Sequence, residues 1–243
     1  MTHLGKLSFD GIPRVAVPLT DATSQASLAN ARRLGVDIVE IRVDLFASFD
    51  IPYILAQAAR FNSFPTIATV RSKKEGGSWS RSEEERLEIF KALIPETDAI
   101  DIELSSPAIL KKLVADARKA EKKVILSHHD FRATPSSLEL DRIFKEAKAA
   151  GADIVKIAAA VSGAEDIQRL AAFTIEHARD QIITIGMGSE GSVSRLLFPG
   201  LGSLITFASL DRETASGQLD FETTSSLLRK IYPSYALAKQ NPN

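Results

Sequence analysis

The chain has 243 residues, a hydrophobic fraction of 44%, a net charge of −1 and no cysteine. That is the composition of a globular protein large enough to bury a core without staples. It excludes disulfides, zinc–cysteine sites and thiol catalysis, and it fits a cytoplasmic setting. Near-zero net charge argues against nucleic acid as the main partner. No apolar run approaches the roughly 20 residues of a membrane helix, and the N-terminus lacks the apolar stretch of a signal peptide.

In chain order, Leu4–Ile12 comes first, with the turn pair Asp10-Gly11, and reads as a hairpin. Eight short apolar runs follow: Arg14–Leu19, Asp37–Asp44, Pro65–Arg71, Ala99–Leu104, Lys123–Asp130, Asp153–Ala159, Gln181–Met187 and Ser203–Ser209. Each is rich in Val, Ile, Leu or Thr, as strands are. Helical stretches are expected between them. Ser24–Leu34 ends at Gly35 and Pro135–Ala150 ends at Gly151, both suited to a left-handed C-cap. Ser82 with Glu85 fits a capping box for a helix running to about Leu93. Ser106–Ala120, Ala164–His177 and Asp220–Ile231 complete the set, and Gly188–Leu197 holds only a short helix at most. Eight strand–helix units in this length predict one (β/α)8 TIM barrel over residues 1–243, with the hairpin closing its bottom. A doubly wound open sheet is the rival, but Pro18-Leu-Thr-Asp21 after the first strand lacks the glycine-rich turn such sheets usually carry.

Charges recur on these strands at period two, and alternate strand residues share a face. Glu40, Arg42 and Asp44 form one such set; Asp101 and Glu103 form another, and Ile67, Thr69 and Arg71 a third. The helix-facing layer of a barrel should be apolar, so these charges are expected inward, at the C-terminal mouth where barrel active sites lie.

Lys156 stands out most, because five of the six residues from Ile154 to Ala159 are apolar. Burial favours the neutral amine, a nucleophile toward carbonyl carbon, so a Schiff-base lysine is the sharp reading. A snorkelling lysine, or one paired to a carboxylate, is the bland one. Gly35-Val-Asp-Ile-Val-Glu40 echoes Gly151-Ala-Asp-Ile-Val-Lys156, which suggests equivalent places for Glu40 and Lys156 on two strands. His128 and His129 are adjacent in a strand and must point opposite ways, so a two-histidine metal site is not expected and one histidine becomes the candidate acid–base. His3 and His177 are poorly placed to help. After the seventh run, Gly186-Met-Gly-Ser-Glu-Gly191 and Ser194-Arg195 could grip an anion, and Thr214-Ala-Ser-Gly-Gln218 after the eighth suits a mobile lid.

Six motifs in order, covering essentially the whole chain, give it its resemblance to type I 3-dehydroquinate dehydratase, a Schiff-base lyase of the shikimate pathway. They are Glu40-Ile-Arg42, Arg71-Ser-Lys-Lys-Glu-Gly-Gly77, Ser127-His-His-Asp-Phe131, Asp153-Ile-Val-Lys-Ile157, Met187-Gly188 with Ser194-Arg195, and Gly217-Gln218. The resemblance implies that Lys156 forms the Schiff base with the ketone of 3-dehydroquinate, His129 shuttles the proton and Glu75 orients that histidine. It implies that Arg195 grips the substrate carboxylate, with Gln218 and Thr214 on the lid, and that Glu40, Arg42 and Arg71 contact substrate hydroxyls and frame the site electrostatically. It implies no cofactor and no metal, and a homodimer.

Two departures touch neither lysine nor histidine. The lid reads Thr214-Ala-Ser-Gly-Gln218 where many relatives have Ser-Ala-Pro-Gly-Gln, and Pro18 stands where relatives often have serine. Two rival functions stay open at this point: a class I aldolase acting on a phosphosugar, and a silent barrel binding a carboxylate metabolite.

Overall fold

The structure is a computed structural model that describes residues 3–210 and 217–240. Eight parallel strands form one sheet in sequence order: β3 (Arg14–Leu19), β4 (Ile38–Arg42), β5 (Thr66–Thr69), β6 (Ala99–Glu103), β7 (Lys123–Asp130), β8 (Ile154–Ala160), β9 (Ile182–Met187) and β10 (Ile205–Phe207). The last strand pairs with the first. The seam between β9 and β10 is closed by a single bridge, Ile182 to Ser203, and by the Thr184 amide donating to Ser203 Oγ at 3.0 Å. The result is the expected (β/α)8 barrel.

Helices α1 (Gln25–Leu34), α3 (Glu83–Leu93), α4 (Pro107–Lys119), α5 (Ser137–Ala150), α6 (Ala164–Glu176) and α8 (Phe221–Ile231) lie close to where the sequence puts them. Ser82 and Glu85 make the full capping box, and Gly35 and Gly151 take the left-handed C-cap. Helix α7 (Ser194–Leu201) is short and contains Pro199. Two helices, α2 (Ile51–Ala58) and α9 (Pro233–Gln240), have no counterpart among the expected elements. Each opens on a proline in its first turn, a residue that reads as a breaker unless it is recognised at the helix start. Among the described residues no helix is long and apolar enough to cross a membrane.

The N-terminal hairpin pairs β1 (His3–Leu4) with β2 (Leu7–Ser8). Its turn is Gly5-Lys6 and not Asp10-Gly11, since Gly5 supplies the positive φ a two-residue turn requires. Leu4 and Phe9 pack into the barrel lumen against Ala16, Ile38, Ile67, Ala99, Ile125, Ile154, Ile183 and Ile205. Those eight residues, one per strand, form the apolar floor. Above them the lumen turns polar.

Candidate active site

The layer above the floor converges on one atom. Alternate barrel strands contribute the residues of one layer, and here β4, β6, β8 and β10 contribute Glu40, Asp101, Lys156 and Phe207. Lys156 Nζ donates to Asp101 Oδ2 at 2.8 Å, lies 3.6 Å from Glu40 Oε1 and stands 4.2 Å from the centre of the Phe207 ring. Glu40 and Lys156 do occupy matching positions, each two residues beyond the floor isoleucine of its strand, Ile38 and Ile154. Lys156 is buried, as are both carboxylates. The sharp and the bland readings of the lysine thus meet: it is enclosed, and it is paired.

A second chain of contacts fixes those carboxylates. Arg71 donates to Asp101 Oδ1 at 2.7 Å, to Glu103 Oε1 at 2.9 Å and to Ser127 Oγ at 2.6 Å. Ser127 in turn donates to Asp101 Oδ1 at 2.6 Å, and Thr69 donates to Glu40 Oε1 at 2.9 Å. Burial alone would raise the Asp101 carboxyl, but Arg71 and Lys156 outweigh it and hold that group well below the usual carboxylate range. Burial would likewise lower the Arg71 guanidinium, and Asp101, Glu103 and Glu40 together more than reverse it. Arg42 is tied down too. Its fork meets Asp44 at 3.0 and 2.9 Å. Asp44 leaves the strand face in a 3-10 turn over Val43–Leu45, where it also accepts the Ser78 amide at 3.1 Å.

One inward position up from Ser127, toward the mouth, stands His129, while His128 faces outward and is half-buried. Glu75 Oε2 accepts from the His129 backbone amide at 2.9 Å and lies 2.9 Å from His129 Nδ1. Ser105 Oγ donates to its other oxygen. Burial raises the Glu75 carboxyl to about 7, the Ser105 hydrogen bond offsetting only part of the effect. Burial, together with Arg71 and Lys156, drives His129 well below its usual range. The loop that delivers Glu75 explains the paired glycines of its motif. A Cβ on Gly76 would strike the Phe131 ring at 2.3 Å, and one on Gly77 would strike the Arg71 carbonyl oxygen at 2.1 Å. Phe131 stacks on His129 with ring planes 16° apart.

Arg195 enters from the first turn of α7. It is buried, it makes one hydrogen bond, from Nη1 to the Phe207 carbonyl at 3.3 Å, and its Nε and Nη2 have no partner among the described residues. Burial lowers this guanidinium to about 10. A buried cation with open donors is built to receive an anion.

Glu40, Arg42, Arg71, Glu75, His129, Lys156, Arg195 and Gln218 line one cavity, closed on its other side by Ile185, Met187 and Phe207. Thr214 lies outside the described residues. Sequence reasoning noted Asp101 and Glu103 as inward charges but gave them no part in the site. It missed Ser105 and Arg86 altogether. Nothing in Ser105-Ser106 or in the glutamate run before Arg86 distinguishes these residues from helix-cap and surface chemistry.

Residues 15–234 match the model of the type I 3-dehydroquinase family. The chain belongs to that family. Membership makes it an enzyme of the 3-dehydroquinate dehydratase class, a hydro-lyase. It is 38% identical over 221 residues to the 3-dehydroquinate dehydratase of Hydrogenobaculum sp., covering 90% of this chain and 99% of the relative. It is 37% identical to that of Aquifex aeolicus, covering 90% and 98%. The crystal structure of the Aquifex aeolicus enzyme superposes with a TM-score of 0.82 at 36% identity, covering 90% of this chain and 99% of the other. The type I enzyme of Clostridium difficile, solved with covalent modified comenic acid, gives 0.85 at 30% identity, covering 93% and 94%.

Proposed function

We propose that this enzyme dehydrates 3-dehydroquinate to 3-dehydroshikimate through a Schiff base on Lys156, as a step of the shikimate pathway that feeds aromatic amino acid biosynthesis. The observation that carries the reading is the convergence of Asp101, Glu40 and Phe207 on Lys156 Nζ, one layer below His129.

Lys156 attacks the substrate ketone, and the addition product loses water to give an iminium. The iminium acidifies the neighbouring carbon, because the electron pair left by its proton is stored as an enamine. His129 Nε2 takes that proton, with Nδ1 held on Glu75, and the imidazolium then protonates the departing hydroxyl. Hydrolysis of the iminium releases product and free lysine. Arg195 receives the substrate carboxylate, with Gln218 lining the same cavity, and the family resemblance adds the Thr214 hydroxyl as a further substrate contact. Arg42 and Arg71, both occupied by acidic partners, act mainly as the electrostatic frame and through that frame on Glu40. The covalent modified comenic acid of the Clostridium difficile relative accords with covalent chemistry in this family. The absence of cysteine accords with a cytoplasmic enzyme, and the family resemblance with a single-domain homodimer that needs no cofactor.

Purified protein given 3-dehydroquinate should produce the ultraviolet absorbance of the conjugated product. No absorbance change at any pH from 6 to 9 would contradict the reading.

A further inference from the structure

Among the described residues Arg86 is the largest side chain that is fully buried, yet it belongs to α3, on the outside of the barrel. Its guanidinium reaches over the end of β5. Nε donates to the Val70 carbonyl at 2.8 Å, Nη1 to Ser106 Oγ at 2.9 Å and to Glu83 Oε1 at 3.2 Å, and Nη2 to Glu103 Oε2. Glu103 is also fully buried and is shared between two arginines. Its Oε2 faces Arg86, and its Oε1 takes Arg71 at 2.9 Å and the Ser72 amide at 3.0 Å. Ser72 opens the turn that carries Glu75 to His129. Charge-assisted bonds therefore run from an outer helix to the Ser72 amide, and the turn from Ser72 to Glu75, closed by the Glu75 amide donating to the Ser72 carbonyl at 3.0 Å, carries the connection to the acid–base pair.

Charge arithmetic explains why the line needs its outer end. The ion pairs themselves join three buried carboxylates, Glu40, Asp101 and Glu103, to three buried basic side chains, Arg71, Lys156 and Arg86, and the buried Glu75 lies beyond them on the Ser72 turn. Without Arg86, one buried carboxylate loses its counter-charge, and the groups nearest to it are Arg71, Ser72 and, through them, Glu75.

We propose that Arg86 is a positioning residue for the reaction: from outside the barrel it neutralises and holds Glu103, and so fixes the charge and the placement of the Arg71–Glu75 segment. This rests on the proposed dehydration for its functional consequence, though not for its electrostatics. The titratable and charged groups around Glu75 are Glu103 on β6, Arg71 at the end of β5, His129 on β7, and Lys73 and Lys74 on its own turn. Of these, Glu103 acts to raise Glu75. Removing the cation that balances Glu103 strengthens that push, and removing Glu103 itself abolishes it.

The test is a pH titration of the His129 imidazole resonances in the free, full-length protein, which report the ionisation of Glu75 bonded to that ring, paired with the pH profile of turnover. Arg86→Met should move the titration and the acid limb of activity upward by about half a pH unit or more, with kcat falling about tenfold and KM little changed. Arg86→Lys keeps the charge and should leave the limb near wild type, even though the fork is lost. Glu103→Gln should move the limb downward, so the sign is readable even where the methionine variant does not fold. Superimposed titrations for all variants, or a lysine variant that shifts as far as the methionine one, would overturn the proposal. A wild-type protein that titrates but turns over nothing would instead overturn the functional reading.

Discussion

Glu75 Oε2 stands 2.9 Å from both the backbone nitrogen and the Nδ1 of His129. One carboxylate oxygen thus fixes the main chain and the ring of the same residue. The contact decides the tautomer. When Glu75 is ionised it accepts Nδ1–H, and Nε2 is left with a lone pair facing the cavity. When Glu75 is protonated it donates to Nδ1, and Nε2 carries the hydrogen and cannot act as a base.

Because burial lifts Glu75 to about 7 and pushes His129 well below its usual range, the carboxyl sets the acid limb of activity. Turnover should rise with pH through about 7. Glu75→Gln should flatten this limb, because the His129 amide keeps the glutamine carbonyl oxygen toward the ring and the useful tautomer no longer depends on pH. The cost should be a fall in kcat of about 10- to 100-fold, from loss of the charge that stabilises the imidazolium. A kcat profile measured from pH 5.5 to 9 for both proteins checks it.

The same group predicts a stability change of opposite sense. A carboxyl whose folded pKa is raised stabilises the fold fully only below its unfolded value of 4.5, and that contribution is lost as pH rises through about 7. Glu75→Gln should therefore be more stable than wild type at pH 8, by on the order of 3 kcal/mol at most. The advantage should shrink to nothing as pH falls toward 4.5. Denaturant unfolding at several pH values reads this directly.

Arg195 carries two buried donors with no partner among the described residues, so it is held at a cost in the free enzyme. Arg195→Met should raise the stability of the unliganded protein by about 1 to 2 kcal/mol. It should also abolish the upward shift in melting temperature that a carboxylate substrate or product confers on wild type. Thermal melts with and without ligand separate the two effects.

Gly77→Ala places a methyl group 2.1 Å from the Arg71 carbonyl oxygen. Backbone must move, and the loop that delivers Glu75 moves with it. We expect a fall in kcat of at least about 100-fold with the barrel still folded, since this loop lies outside the sheet ladder. Steady-state kinetics alongside circular dichroism distinguishes this outcome from global unfolding.

Much of this was legible in the sequence, for reasons that particular residues make plain. β3 and β7 match their predicted bounds, Arg14–Leu19 and Lys123–Asp130. Strand period together with the apolar demand of the helix-facing layer put Glu40, Asp101 and Glu103 inward and opposed His128 to His129, but it failed for Asp44, which lies beyond the end of β4 in a 3-10 turn. The sequence did not disclose how the charges pair. Arg71 and Glu103 are 32 residues apart and meet because β5 pairs with β6, whereas Lys156 and Asp101 are 55 apart on strands separated by β7 and meet on the inner face of the curved sheet. Arg86 was hidden for a related reason: on a surface helix, an arginine after three glutamates looks like a solvated i,i+3 pair, and its burial depends on β6 ending where it does.

The central claim is that Lys156 is the nucleophile. Borohydride added during turnover of 3-dehydroquinate should reduce the iminium and leave a stable adduct, located by peptide mass spectrometry on Lys156. Lys156→Ala should give neither adduct nor turnover. An unmodified Lys156 peptide from a fully active wild-type enzyme, or an adduct on another lysine, would contradict the account.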